Sequence, residues 1–460
     1  MRLLKKLIVV QEFGLVAVIG LMMAGLWYFT PAIPRRERVD LAPADAVAAT
    51  SSGIAVTREH GGKENFSSAK GWRLVERGSI RRLERKERIE VPKGATVTEV
   101  AEMTVTVGGP FTKQVQSGYR VSGAGRLDGG YPTGDGHHWQ SYAEDDGTIV
   151  LERDPHVNKF LNADNLMIVA TSASFYGIMA VGLTAIIVLG GIDLSVGAIY
   201  ALASVVGATV LKKASGGGVD GAGVGTATAL LIGFGVCGLV GALCGLINGA
   251  ASVGLRVHPF IITLGGMGVY RGVAYLVSKG QSISDFPEGF GSFVRMNILG
   301  VEPLPLIAML AVGLGGSLVF ARTVFGRHVF ATGGNEVAAR YAGIAVGRTK
   351  VIVFTIAGLL AGLAAAIAIG KYGAASSQDG SGYELEVIAA AVVGGASLSG
   401  GRGSALGAVL GAIVIQLINN GFEALAIDQA YKQIVIGMAI VLAVVVDQLK
   451  TRLSNGAGKR

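Results

Sequence analysis

Long apolar runs divided by short polar or glycine-rich breaks dominate this chain and set its architecture before any single residue is weighed. The first, Phe13–Thr30, carries no charge and follows the basic start MRLLKK. It resembles a signal peptide, but the run is long and no convincing cleavage site follows, so a retained first span is expected. Nine further segments come after Pro155. They lie near Leu166–Leu189, Ser195–Leu211, Thr226–Val253, Pro259–Ser278, Pro303–Ala321, Val351–Gly370, Leu385–Leu398, Ser404–Gly421 and Tyr431–Val446. Several fall short of the ~20 residues an upright helix needs, which leaves room for one re-entrant segment. The pattern predicts an all-α polytopic membrane protein of about ten transmembrane helices.

Pro31–Pro155 breaks the pattern. It opens as a Pro/Ala/charge linker, PAIPRRERVDLAPADAVAATSS, and passes through a dense charge run, RGSIRRLERKERIEV. Segments such as ATVTEVAEMTVTV and TKQVQSGYRV then alternate with period two between Gly-rich turns, the mark of strands. The expected organisation is a cytoplasmic start and first span (1–30), an inserted β-rich extracytoplasmic domain (31–155), a helical core with about nine spans (156–448) and a cytoplasmic tail (449–460).

Composition agrees. Hydrophobic residues make up 51% and charged residues only 16%, against ~25% charged in soluble domains. The 71 glycines are about twice the usual share, as suits membrane helices whose backbones touch. The net charge of +8 does not point to nucleic acid: 31–155 holds 18 Lys/Arg and 18 Asp/Glu, so the surplus sits in the apolar remainder. Basic residues there fall mainly in alternate loops. One side carries Arg2, Lys5, Lys6, Arg256, Arg322, Arg327, Arg340, Arg348, Lys350, Arg402, Lys450 and Arg452, and the other mainly Lys212, Lys213, Lys279, Arg295, Lys371 and Lys432. The bias puts both termini inside and 31–155 outside. Cys237 and Cys244, seven apart in one apolar run, read as packing residues rather than redox or metal groups. His137, His138, Asp135 and Asp145 could be drawn as a metal site, but adjacent histidines in a Gly/Asp loop are usually only exposed; no metal or cofactor is expected.

Arg322–Lys350, RTVFGRHVFATGGNEVAARYAGIAVGRTK, is a charged interlude placed inside by the same topology. It predicts a short, well-capped helix. Asn335 suits an N-cap, Glu336 the first turn, Glu336 and Arg340 pair at i,i+4, and Gly343 stands where a C′ glycine belongs. Ala338 and Ala339 leave the middle without bulk, so another surface could approach. A solvated connector with ordinary caps accounts for the same residues.

In VGLTAIIVLGGIDLSVGAIYALASVVG, Gly190-Gly191 ends one helix and Asp193 or Ser195 can cap the next; Asp193 also reads as an intramembrane carboxylate on a pathway. Asn248, Thr263, Glu384 and Glu386 are further polar groups in or beside apolar segments. Interhelical hydrogen bonding explains Asn248 and Thr263 equally well, and Glu384 and Glu386 are expected near the outer face. The pathway candidates are thus Asp193, Ser195, Asn248, Thr263 and Glu386. No phosphate loop of the form G-x-x-x-x-G-K-S/T occurs, and Gly401-Arg402-Gly403 with Gly407 imitates a dinucleotide fingerprint without the surrounding βαβ unit, so a tight turn is expected there.

Five blocks, GGIDLSVGAIYAL, NGAASVGLRVHPFIITLGGMGVYRGVAYLVSKGQSI, FGRHVFATGGNEVAARYAGIAVGRTK, GYELEVIAAAVVGGASLSGGRGSALGAVLGA and NNGFEAL, follow in an order that closely resembles the permease subunits of bacterial ABC importers for monosaccharides of the ribose, xylose and galactose type. The resemblance covers Phe13–Thr30 and about Phe160–Val446. It implies a non-catalytic inner-membrane subunit, half of a homodimeric pore, served by a separate ATPase and a periplasmic sugar-binding protein. It also implies that Gly334, Asn335, Glu336, Ala338, Ala339, Arg340 and Gly343 form a coupling helix seated in the ATPase. The 31–155 insertion departs from the family pattern and puts the usual docking of the binding protein in question. Two other classes remain: an ion-coupled secondary transporter, for which Asp193 is the one plausible buried acid, and a sensor whose outer domain does the work. A nucleoside or branched-chain amino acid is the alternative cargo.

Overall fold

In a computed structural model the chain divides into two compact units, Met1–Met23 with Leu166–Arg460, and Ala24–Asn165. The structure describes residues 2–445 except 31, 35–36, 43, 51–52, 59–62, 68–71, 78–79, 102, 109–110, 116, 133–138, 144–147, 154–155, 216–223, 299–300, 426, 429, 439–440 and 442–444.

The first unit is helical. Its elements are α1 (Arg2–Phe29), α2 (Ala163–Val188), α3 (Val196–Ala214), α4 (Thr226–Leu255), α5 (Pro259–Ser278), α6 (Glu288–Val294), α7 (Leu304–Arg322), α8 (Val324–Gly334), α9 (Glu336–Tyr341), α10 (Val346–Tyr372), α11 (Tyr383–Val393) and α12 (Ala405–Ala424). Among the described residues eight are long and apolar enough to cross a membrane: α1, α2, α3, α4, α5, α7, α10 and α12. Two of the ten expected segments are not among these eight. The segment Leu385–Leu398 forms only the 11-residue α11. A turn at Gly394-Gly395 stops it, with Gly395 at φ 97° and Ala396 N donating to Ala391 O. Residues 430–438 are helical, but much of the last expected span lies outside the described residues.

Glycine lets α4 and α10 pack backbone to backbone in this unit. Added side chains at Gly241 and Gly245 on α4 would strike the carbonyl oxygens of Gly358 and Phe354 on α10, and one at Gly358 would strike that of Gly241. The two backbones touch, which brings dispersion and polar contacts where lipid offers no hydrophobic drive. Cys237 and Cys244 are buried free thiols on the same helix, and Cys237 Sγ donates to Ala203 O on α3 at 3.3 Å. Both act as small packing residues.

The second unit is β-rich, and among the described residues every strand pairing is antiparallel. One three-stranded sheet joins β2 (Glu37–Asp40), β7 (Ile80–Arg85) and β6 (Trp72–Arg77); another joins β3 (Ala46–Thr50), β4 (Gly53–Thr57) and β5 (Lys63–Ser67). Leu41, Val56 and Leu83 form their shared core, with Phe66 and Trp72 packed on it. A third sheet contains β9 (Thr96–Val100), β12 (Gly118–Ser122) and β13 (Gly129–Pro132), and a fourth β8 (Glu87–Val91), β15 (Ile149–Arg153) and β14 (Gln140–Ala143). Val91, Val121, Trp139 and Leu151 make the second core, where the Arg153 guanidinium lies 4.6 Å from the Trp139 ring centroid. β10 (Met103–Gly108) and β11 (Phe111–Val115) form a hairpin, and β1 (Ala32–Pro34) pairs with β16 (His156–Asn158) at the two ends of the insertion. The segment read as a linker thus contributes three strands, and the dense charge run becomes β7 and β8. Its charges pair within and across strands (Arg82–Glu84, Arg88–Glu90, Arg153–Glu87), while Leu83, Ile89 and Val91 turn inward.

Candidate functional site

The charged interlude folds into two helices rather than one. Thr323 caps α8, its Oγ1 accepting from Gly326 N at 3.0 Å. Asn335 leaves the helical region at φ −160°, ψ 100°, and its Oδ1 accepts from Ala338 N at 2.9 Å, which starts α9. Glu336 in the first turn pairs with Arg340 at 2.7 Å and with Lys350 of α10 at 2.8 Å. The hydrogen bond from Lys350, then that from Arg340, hold the Glu336 carboxyl below the usual carboxylate range against a smaller opposing effect of burial. At the other end Gly343 takes φ 79°, with Gly343 N donating to Arg340 O and Ile344 N to Ala339 O, both at 3.0 Å. That pair of bonds closes the helix with a left-handed C′ residue.

The two alanines divide between faces. Ala338 is exposed, whereas Ala339 is buried on the side facing the protein. Bulk that the sequence reading missed stands on the outer face: Val337 is 63% and Tyr341 89% exposed, and with Glu336 and Arg340 they line a shallow hollow. An apolar pair at i,i+4 on an otherwise charged helix is the signal that could have found them. A side chain added at Gly334 would meet nothing, whereas one at Gly333 would strike the carbonyl oxygen of Val188 at the end of α2. The same oxygen accepts from Gly401 N at 2.8 Å. Gly400 and Gly401, at φ 82° and 72°, belong to a tight turn in which Gly400 N donates to Ser397 O and Ser397 N to Arg402 O. The end of α2, the lead into α9 and the α11–α12 turn therefore meet backbone to backbone.

Four of the five pathway candidates also come together. Asp193 is buried, and its Oδ1 accepts from Ser195 N at 2.7 Å and Ser195 Oγ at 2.6 Å. Asn248 Nδ2 on α4 donates to Ser195 Oγ at 2.8 Å, and the Tyr270 hydroxyl on α5 donates to Asn248 Oδ1 at 2.9 Å. Thr263 Oγ1 accepts from Leu194 N at 3.2 Å. The expected helix break at Gly190 is present, with φ 79°. The expected side-chain cap is not: Ser195 occupies the N-cap position of α3 but spends its hydroxyl on Asp193 and Asn248. The cluster joins the 189–195 turn to α4 and α5, the interhelical bonding weighed above for Asn248 and Thr263. Tyr270 went unnoticed because one ring in an apolar run gives no one-dimensional sign of its partner.

Glu386 stands apart from this cluster. It is buried between α11 and α12, accepting from Asn419 Nδ2 at 2.9 Å and paired with Lys432 at 3.0 Å. Glu384 is half-buried, and its Oε2 has no hydrogen-bond partner among the described residues. Asp135, His137, His138 and Asp145 lie outside the described residues.

Comparison with known proteins adds the following. The family described as "Branched-chain amino acid transport system / permease component" matches residues 165–444. The chain is 37% identical over 295 residues to the ribose import permease protein RbsC of Escherichia coli (strain K12), covering 63% of this chain and 88% of that protein. It is 37% identical over 290 residues to the D-allose transport system permease protein AlsC of the same strain (63% and 85%). To the galactose/methyl galactoside import permease protein MglC of that strain it is 35% identical over 309 residues (66% and 90%). No solved structure matches the chain.

Proposed function

The chain belongs to the branched-chain amino acid transport system / permease component family, and from that membership we propose that it is the transmembrane subunit of an ABC importer for a monosaccharide of the ribose, xylose or galactose kind. The subunit hydrolyses nothing. A partner ATPase supplies the energy, a periplasmic sugar-binding protein delivers the cargo, and two copies of the chain form the pore. Both termini lie in the cytoplasm of a cell whose inner membrane the chain crosses many times, and the β-rich insertion lies outside. The hydrogen bond from Ser404 Oγ to Glu12 Oε1, 2.7 Å, supports placing the N-terminal end of α1 on the side that carries α9.

One observation carries the coupling role: α9 is six residues long, capped at both ends, pinned to α10 by Lys350–Glu336, and offers Val337 and Tyr341 outward. A six-residue helix has no stability of its own. Its caps and ion pairs make it a rigid projection able to transmit a push from an ATPase cleft to the backbone junction at Val188. The residues in this role are Gly334, Asn335, Glu336, Ala338, Ala339, Arg340 and Gly343, joined by Val337 and Tyr341. The relatives named for sugar transport favour a sugar over the amino acids of the family's title.

The test is ATP-driven uptake of labelled D-ribose, D-galactose and L-leucine into proteoliposomes holding the permease, its ATPase and its binding protein. Glu336→Ala with Arg340→Ala should abolish uptake while the protein stays folded in the membrane. Full uptake by that double variant would sink the coupling role, and uptake of leucine alone would replace the sugar.

A further inference from the structure

At the end of α10 remote from α9 lies a cavity of about 220 Å³ whose lining includes Tyr200, Tyr372, Tyr383, Asp379, Ser376 and Ser282. It shares no residue with the Asp193 cluster or with α9. One wall is the 373–382 segment, and that wall is fixed. Ala375 exchanges two backbone hydrogen bonds with Ile283, at 2.8 and 2.9 Å. Arg271 Nη1 donates to the carbonyls of Ser377 and Asp379, at 2.8 and 2.6 Å. Gly380, at φ 67°, packs so closely on Gly197 of α3 that a side chain on either would strike the other's carbonyl oxygen.

The lining is unusual for an apolar bundle. Three tyrosine rings arrive from three elements, and the centroids of Tyr200 and Tyr383 lie 5.5 Å apart at 48°. Tyr200 is 4% exposed, yet its hydroxyl has no hydrogen-bond partner among the described residues. Asp379 Oδ2 accepts from Ser376 N at 2.8 Å, and its other carboxylate oxygen has no partner among the described residues. Both residues line the cavity, where a hydroxyl and a carboxylate oxygen not used by the protein are open to a ligand that bonds to them. A sugar ring does so while also offering an apolar C–H face to aromatic walls. Its hydroxyls can donate to the carboxylate and accept from the phenol. The size fits one ring. The cavity falls below the ~300–1,000 Å³ of sites for drug-sized ligands and equals roughly seven waters at ~30 Å³ each.

We infer that this cavity is a monosaccharide-binding station inside the permease, with Asp379 accepting from ring hydroxyls, Tyr200 donating to one, and the tyrosine rings stacking on the C–H face. The inference rests on the sugar-importer reading above. It makes the permease a second point of selection after the binding protein, one that rejects sugars lacking the hydroxyls Asp379 engages.

The experiment is uptake of labelled D-ribose and D-galactose by the complete reconstituted transporter carrying Tyr200→Phe or Asp379→Asn. Thermal stability is followed in parallel. Tyr200→Phe, which keeps the ring, should weaken uptake roughly three- to tenfold, and Asp379→Asn by at least about tenfold, because a hydrogen bond to a charged group is worth more. Melting temperatures should stay at the wild-type value. Wild-type uptake by both variants would show the cavity to hold water only and overturn the station, leaving the importer reading in place. Failure of the wild type itself to import any monosaccharide would overturn both.

Discussion

A single methyl group at two glycines of α4 should have opposite effects, and the sign follows from what each would meet. At Gly245 an added Cβ would strike the carbonyl oxygen of Phe354 on α10 and sit 2.9 Å from its carbonyl carbon and 3.1 Å from Thr355 Cα. Those are backbone atoms, so no rotamer change relieves the clash, and the helices must part. Overpacking of this kind costs about 1–3 kcal/mol, and the upper half of that range applies where nothing can yield. At Gly235 the same methyl meets nothing within 4 Å. There only the helix propensity gain of about 0.5–1 kcal/mol remains. The two variants should therefore differ by roughly 3 kcal/mol, or on the order of 5–10 °C in melting temperature for a unit of this size. Cys237 and Cys244 provide the assay, because both thiols are buried and free and should react with a fluorogenic maleimide only as the bundle opens. Equal melting temperatures for Gly235→Ala and Gly245→Ala would refute the claim that α4 and α10 touch through their backbones.

Two more expectations follow from the same geometry. The folded-state value of Glu336 is lowered by Lys350 and Arg340. Its contribution to α9 is thus fully present above the ordinary carboxylate value of 4.5 and is lost as pH falls through the lowered one. Amide protection factors across α9, corrected for intrinsic exchange at each pH, should fall on acidification through that window, and Glu336→Gln should remove the dependence; an identical pH profile in that variant would contradict it. Asn248→Leu removes the bonds to Ser195 Oγ and from the Tyr270 hydroxyl, leaving Ser195 with Asp193 and Tyr270 with only the longer bond to Cys244 O. At about 0.6–2 kcal/mol per interhelical bond in a bilayer, it should lower the melting temperature by several degrees, whereas a melting curve superimposable on wild type would mean the cluster carries no structural load.

Much of this was legible in one dimension because the signals are local. Pro259–Ser278 was bounded to the residue, and Thr226–Leu255 to within two, since an apolar run flanked by polar residues marks a membrane helix by itself. The α9 caps were equally local: Asn335, Glu336 and Gly343 act within one or two turns. What stayed hidden depends on distant partners. Leu385–Leu398 read as a span because hydropathy does not register that Gly394 and Gly395 turn the chain after three helical turns. The charge run 77–91 hid two strands because each inward Leu83, Ile89 or Val91 is separated by arginines and glutamates that pair with one another. The cavity tyrosines lie in three segments whose meeting is set by Gly197 against Gly380, a contact that no periodicity encodes.

The pairing of β1 with β16 fixes Ala32 opposite Asn158 and Pro34 opposite His156, so the chain leaves for the insertion and returns from it on adjacent strands about 4.8 Å apart. A structural graft needs no more than that. The whole of 35–155 could be excised and its stumps joined by a two-residue turn across that strand pair. A chain cut back in this way should still insert in the membrane, and the same two strands offer a splice point for fusing a foreign domain to the first span.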